Sequence, residues 1–259
     1  MNRLFAAFDD GVCVPAASLP AAAARYPEAR SLWVLVKAHT PYSLSAWGET
    51  TLSIASHYPA YQQGYLAVNA LAEALQKNGQ KAWVDFSFSQ KPLAQQLGLG
   101  WIGKQTLLHH PVYGSYICLY TLLTEKEGEY TPVRSPLPPL CGDCTACIEA
   151  CPTGALTDGF HREKCIRNWQ LNPVKTPPEI EPFIGKRLLG CDLCQRACPR
   201  NPRKTVLPPE ALRRALLLPD EEALSRNLPE LKRLIGRNII RKDRLVDMLQ
   251  RIWKGSCQE

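Results

Sequence analysis

Long apolar runs are missing from this sequence. No stretch of about 18 apolar residues, the least that crosses a bilayer as a helix, occurs among its 259 residues. The N-terminal run MNRLFAAFDDGVCVP carries Asp9 and Asp10 where an export signal needs an apolar core. Both absences lead to the expectation of a cytoplasmic protein without a membrane partner. Compositional bias is missing as well: 45% hydrophobic and 21% charged is globular usage, enough for one large domain or two small ones. No repeat array is visible beyond two clusters of cysteine.

Cysteine is what the chain has in excess. Eight of its eleven cysteines fall between Cys141 and Cys198. Cytosolic thiols stay reduced, so a disulfide framework is a poor account and metal binding a better one. The first motif is Cys141-x2-Cys144-x2-Cys147-x3-Cys151-Pro152; the second is Cys191-x2-Cys194-x3-Cys198-Pro199, with Cys165 isolated ahead of it. Zinc usually takes two separated pairs converging on one ion. Four thiols ending in Cys-Pro are instead the spacing of ferredoxin-type 4Fe–4S sites, in which the fourth cysteine ligates the other cluster. Cys141, Cys144 and Cys147 are therefore expected to join Cys198 on cluster one. Cys151, Cys165, Cys191 and Cys194 form cluster two. A second motif of the usual form would have its leading cysteine at position 188, which is Leu188; Cys165 supplies the ligand across 25 intervening residues. Cys13, Cys118 and Cys257 are left as ordinary thiols.

Composition divides the chain into three regions. Residues 1–135 alternate strand and helix signals: strands over 31–38, 80–88 and 113–125, and helices over 60–79 and 90–100. An α/β layer is predicted there. EYTPVRSPLPPL (129–140) has four prolines in twelve residues and marks the boundary. Residues 136–203 hold the cysteines. Residues 204–259 read as amphipathic helices over PPEALRRALLL, DEEALSRNLPELKRLI and RKDRLVDMLQRIW. From Arg200 onward, 14 Lys/Arg stand against 8 Asp/Glu, most of the chain's net charge of +7. Such a segment either meets an anionic partner such as nucleic acid or is a solvated helical face.

Two crossed clusters make a wire, and a wire alone needs far fewer residues. The first region should therefore receive the electrons. Asp85 lies there in a predicted strand among Trp83, Phe86 and Phe88. Burial beside aromatics raises a carboxyl pKa and suits a general acid; the plainer reading is an aspartate capping a turn. GLGWIGK (98–104) puts three glycines in six residues, as a backbone closely approaching a flat ligand would require. Gln105 stands where a phosphate loop needs Ser or Thr.

The runs VDFSFSQKPLAQQLGLGWIGKQ (84–105), GSYICLYTLLTE (114–125), KCIRN (164–168) and GCDLCQRACPRN (190–201), with the first cysteine motif, resemble the epoxyqueuosine reductase family. The resemblance implies an α/β (α+β) cobalamin-binding core like that of reductive dehalogenases. A ferredoxin-like double 4Fe–4S domain and a short helical tail would follow. It implies two 4Fe–4S clusters that pass electrons to cob(II)alamin and the reduction of an epoxide of a tRNA nucleoside to an alkene. Asp85 matches the family's proton donor. Trp101, Gly103 and Lys104, with Leu108 and Leu119 nearby, match its corrin pocket, though both leucines read equally well as core. Arg167 and Asp192 stand where the family's cluster domain faces the cofactor; the plainer reading of each is a solvated loop charge. A low-potential donor such as flavodoxin or ferredoxin is implied as electron source. The chain departs from the family where FSFSQKPL follows Asp85 and where YQQ (61–63) replaces Asp-Tyr-His. Family members typically continue into a helical-repeat tail, and a sequence that stops at Glu259 is expected to be without it. A paralogue with another substrate, and an electron-transfer or corrinoid-activating protein without a substrate of its own, are the alternative expectations.

Overall fold

The computed structural model describes residues 6–47, 52–132, 134–170, 176–185 and 187–241, together with 243, 245, 246, 249 and 250. In chain order its strands are β1 (Asp10–Pro15), β2 (Ser31–Ala38), β3 (Ser53–Ile54), β4 (Ala82–Val84), β5 (Trp101–Ile102), β6 (Leu108–His109), β7 (Ile117–Thr124) and β8 (Arg187–Leu189). Its helices are α1 (Pro20–Arg25), α2 (His57–Lys77), α3 (Gln90–Gln96), α4 (Ala146–Glu149), α5 (Ile166–Gln170), α6 (Leu193–Ala197), α7 (Glu210–Ala215) and α8 (Glu221–Ile235). The chain folds as two compact units: Met1–His39 with Gln63–Asp143, and Thr40–Gln62 with Cys144–Glu259.

The first unit is built on an antiparallel sheet in the order β1-β2-β7-β4. The apolar, β-branched run SLWVLVKA forms β2, as its pattern predicts, and pairs along its whole length with β7. Every residue of β7 is buried, so it reads as a continuous apolar run without alternation. Val12, Val14, Leu32, Val34, Val36, Leu119 and Leu123 build one core with Leu93, Leu97, Leu99 and Leu108. In α2, a side chain at Gly64 would strike the Tyr120 ring, so glycine lets the helix lie close to β7. The strand predicted over 80–88 shortens to β4 for a local reason. The Ser87 backbone N–H donates to Asp85 Oδ1 at 2.6 Å, an Asx turn that takes the chain out of the sheet.

The second unit contains the parallel pair β3–β8 and the helices from α4 onward. Its core joins Tyr42, Ile54, Tyr58, Leu188 and Leu189 to Leu212, Leu216, Leu224, Leu231 and Ile235. The boundary expected at residue 203 is therefore not one of the fold: the cysteine region and the tail share a core, and the segment 40–62 belongs with them. Composition registered the change in charge but not this shared apolar interior. Helix α8 starts at Asp220, whose Oδ1 accepts from the Ala223 N–H at 2.7 Å. Acidic residues in its first turn and basic ones in its last suit the helix dipole. The third helix predicted in the tail lies largely outside the described residues, as does Cys257. No helix among the described residues is long and apolar enough to cross a membrane.

Candidate iron–sulfur centre and catalytic aspartate

Short helices present the cysteines. Cys147 lies in α4 and Cys194 in α6; Cys151 follows α4, Cys165 precedes α5, Cys191 precedes α6 and Cys198 ends it. All ten described cysteines are free thiols. Burial pushes the Cys194 thiol up to about 12, with further contributions from Cys191, Cys165, Cys147 and Cys151. Burial raises Cys191 as well, and Cys165 again adds to the rise. The three thiols expected to share cluster two with Cys194 therefore all act on it. A thiol pushed that high is protonated at neutral pH, and a cation is what would convert it to a thiolate ligand. The Cys151 sulfur accepts from the Ala155 N–H at 3.3 Å, a contact suited to a thiolate. In the cluster-one set, Cys147 and Cys198 are buried and Cys144 is exposed. Cys141 lies two residues before the end of the first unit at Asp143, and three residues ahead of Cys144. Clustered thiols that raise one another's pKa, with a backbone donor at Cys151, fit iron–sulfur ligation.

Two residues that the sequence reading passed over frame this region. Gln170, buried at the end of α5, accepts from the Gly190 N–H at 2.6 Å and donates to the Arg187 carbonyl at 3.0 Å. It thereby fixes the residue ahead of Cys191. Tyr58 lies beneath Arg167, whose guanidinium carbon is 5.7 Å from the ring centroid. No sequence signal marks either one. Asp192 is not a solvated loop charge. It is buried, and its Oδ2 pairs with Arg196 at 2.8 Å.

Asp85 in the first unit is 7% exposed. Its Oδ2 accepts from Arg25 and from the Tyr26 hydroxyl, both at 2.9 Å. Its backbone carbonyl accepts from the Thr121 hydroxyl. Burial alone pushes the Asp85 carboxyl up, but hydrogen bonds from Ser87, Arg25 and Tyr26 outweigh it and hold the pKa below the ordinary carboxylate value. The expectation of a raised pKa is reversed, because two of the donors, Arg25 at the end of α1 and Tyr26 just past it, lie about 60 residues upstream. The turn-capping reading of Asp85 holds as local geometry.

GLGWIGK forms the entry to the β5–β6 hairpin. Its glycines are explained by the chain itself. A side chain at Gly100 would run into the His109 carbonyl, and one at Gly103 would lie 2.9 Å from His109 Nε2. Trp101 is buried and stacks on His109 with ring centroids 5.3 Å apart. Leu108 and Leu119 belong to the apolar core, and Lys104 is exposed. The ring of His109 accepts from Gln105 Nε2 at 2.9 Å. Its Nδ1 is buried and has no partner among the described residues. Burial lowers the His109 pKa to about 4, so the imidazole is neutral. That buried donor beside Trp101, with Lys104 at the loop tip, fits a ring bordered by amide carbonyls, as a corrin is.

An α+β unit followed by a ferredoxin-type cysteine pattern defines a two-cluster iron–sulfur protein. Residues 140–201 match the family described as a 4Fe-4S double cluster binding domain. The chain is 37% identical over 124 residues to an epoxyqueuosine reductase of Bacillus anthracis, 47% of this chain and 32% of the relative. It is 35% identical over 138 residues to that of Escherichia coli, 48% of this chain and 36% of the relative. The matched stretch thus spans about a third of these curated relatives. Among solved structures, Bacillus subtilis epoxyqueuosine reductase, captured with its aspartate catalytic loop swung out of the active site, matches 95% of this chain. It does so over 78% of its own chain at a TM-score of 0.69 and 20% identity. The Streptococcus thermophilus enzyme matches 92% of this chain and 75% of its own at 0.69 and 21% identity. The fold is that of these reductases.

Proposed function

We propose that the chain is an iron–sulfur and cobalamin-dependent oxidoreductase of the epoxyqueuosine reductase type, reducing the epoxide of epoxyqueuosine in tRNA. The observation that carries this reading is the 37% identity over 124 residues to a reductase of that name. A related structure holds an epoxyqueuosine-modified tRNA stem loop, which supports tRNA as the substrate class and a cytoplasmic setting. Converting an epoxide to an alkene and water consumes two electrons and two protons. Two 4Fe–4S clusters and cobalamin, when bound, would supply electrons at low potential. A donor such as flavodoxin or ferredoxin would replenish them.

The chain's own residues divide the remaining tasks. Cys141, Cys144, Cys147 and Cys198 would hold one cluster, and Cys151, Cys165, Cys191 and Cys194 the other. Trp101, Gly103, Lys104, Leu108, Leu119, Arg167 and Asp192 are assigned to the corrinoid, and His109 joins them through its unpartnered Nδ1. Asp85 is the proposed proton donor to the departing oxygen. Held by Arg25, Tyr26 and Ser87 it is a carboxylate, so loading its proton requires that this clamp open. The same clamp favours a second reading, an electron-transfer or corrinoid-activating protein without a substrate of its own.

Anaerobic purification with added cobalamin separates the readings. Corrinoid bands that survive desalting, and conversion of epoxyqueuosine to queuosine in tRNA by nucleoside mass spectrometry, are expected. Retained corrinoid without conversion would point to a paralogue with another substrate. Cluster absorption alone would sink the reductase in favour of the carrier.

A further inference from the structure

Tyr58 is 2% exposed, and its hydroxyl has no hydrogen-bond partner among the described residues. A buried phenol without a partner is costly and calls for an acceptor. The residues around it identify where that acceptor lies. Arg167, two residues past Cys165, covers one face of the ring at 5.7 Å from its centroid. Gly190, the residue before Cys191, has φ +86°, and a side chain there would lie 2.9 Å from Tyr58 Cε2. Gln170 pins that same glycine through its N–H. The Cys165 thiol acts on the Tyr58 hydroxyl electrostatically. Tyr58 is therefore enclosed by the two segments that deliver Cys165 and Cys191.

We propose that the Tyr58 hydroxyl donates a hydrogen bond to sulfur of the second 4Fe–4S site, at the Cys165 thiolate or an adjoining sulfide. Tyr58 is a positioning residue that sets the potential of that site alone. The inference rests on the two-cluster assignment above. A hydrogen bond to cluster sulfur stabilises the more negative, reduced state, so it raises the reduction potential. Glycine at 190 and the Gln170 clamp hold the phenol against the cysteine loop. Arg167 shields it from water and from competing acceptors.

The test is an anaerobic redox titration of the reconstituted protein, followed by electron paramagnetic resonance so that the two sites are resolved. Tyr58→Phe keeps the ring and the Arg167 contact. It should lower the reduced-to-oxidised ratio of one site by about tenfold at fixed ambient potential, about 59 mV for a one-electron couple. The other site should not move. Fluorotyrosine at position 58, a stronger donor, should shift the same site the opposite way, and this arm decides the matter if Tyr58→Phe loads iron poorly. With about eight irons per chain and no shift in either arm, or equal shifts at both sites, the proposal is overturned. About four irons per chain in the unaltered protein would overturn the two-cluster reading and this proposal with it.

Discussion

The two units treat their chemistry-bearing groups in opposite ways. In the first, carboxylates come with partners. Asp85 has Arg25, Tyr26 and Ser87, and Asp10 has His110 and Arg134 at 2.9 Å and the Gly11 N–H at 2.7 Å. Burial raises Asp10, yet its hydrogen bonds hold it far below the carboxylate range. In the second unit, the thiols raise one another's pKa, and the Tyr58 hydroxyl has no hydrogen-bond partner among the described residues. Satisfied polar groups belong to a finished interior. Buried like groups that raise one another's pKa suit a site that a cation completes. Among the described residues of the first unit, His109 Nδ1 and Gln90 Nε2 depart from this pattern, and it is the position of His109 beside Trp101 that brings it into the cofactor assignment.

Removing one thiol should break this contrast most severely. Cys194→Ala is expected to lower iron and sulfide from about eight to about four per chain, since one cubane loses a ligand. Cys118→Ala removes a buried thiol that burial raises to about 12, yet it lies in β7, and iron content should be unchanged. Equal losses in both variants would end the distinction between ligand and core cysteine.

The next largest effect concerns Asp85. Asp85→Asn should retain corrinoid and lose roughly 10²–10⁴-fold in turnover, the usual contribution of a general acid. Arg25→Ala should sharpen the point. With one donor gone, the Asp85 pKa rises and its protonated form persists to higher pH, so the basic limb of the kcat profile moves upward. A limb unmoved by Arg25→Ala would dissociate the clamp from proton delivery. Asp85 also links to stability: its depressed pKa contributes above the unfolded value of 3.8 and is lost as pH falls through the lower folded value.

His109 gives a smaller effect, of the same sign as the stability linkage of Asp85. Unfolded, it takes a proton near 6.5; folded, only near 4. Stability should therefore rise with pH across that window, by on the order of 2–3 kcal/mol, because the unfolded state binds the extra proton. Urea unfolding of wild type and His109→Gln at pH 5.5 and 7 samples about 1 kcal/mol of it. The same pH slope in both proteins would remove His109 as its source.

What could be read from sequence follows from what fixes each feature. β2, α2, β7 and α8 are long and patterned, and they were legible. The cysteines were legible because cluster geometry dictates their spacing. β1 opens on Asp-Gly, and β5 and β6 have two residues each, too short for a period to register. The Asp85 pKa was hidden because Arg25 and Tyr26, two of its donors, lie about 60 residues upstream, and the glycines of GLGWIGK had an unseen local cause in His109, which follows in the hairpin. Tyr58 and Gln170 matter through positions that only the fold brings beside Cys165 and Gly190.

The smallest effect concerns the basic tail, where the comparison turns on charges that are already shared. Arg213 and Arg214 pair with Glu210 in α7, and Arg226 with Glu222 and Arg233 with Glu230 in α8, each at i,i+3 or i,i+4. Such exposed pairs contribute little to stability, so Glu230→Gln should leave the melting temperature within error. Their guanidinium groups are also partly neutralised toward phosphate. Arg233→Gln should therefore change the slope of log K against log salt for a tRNA stem loop by well under the roughly 0.7–0.9 that one lost phosphate contact produces. A fall near that value would turn this helical face from a self-paired surface into a nucleic-acid contact.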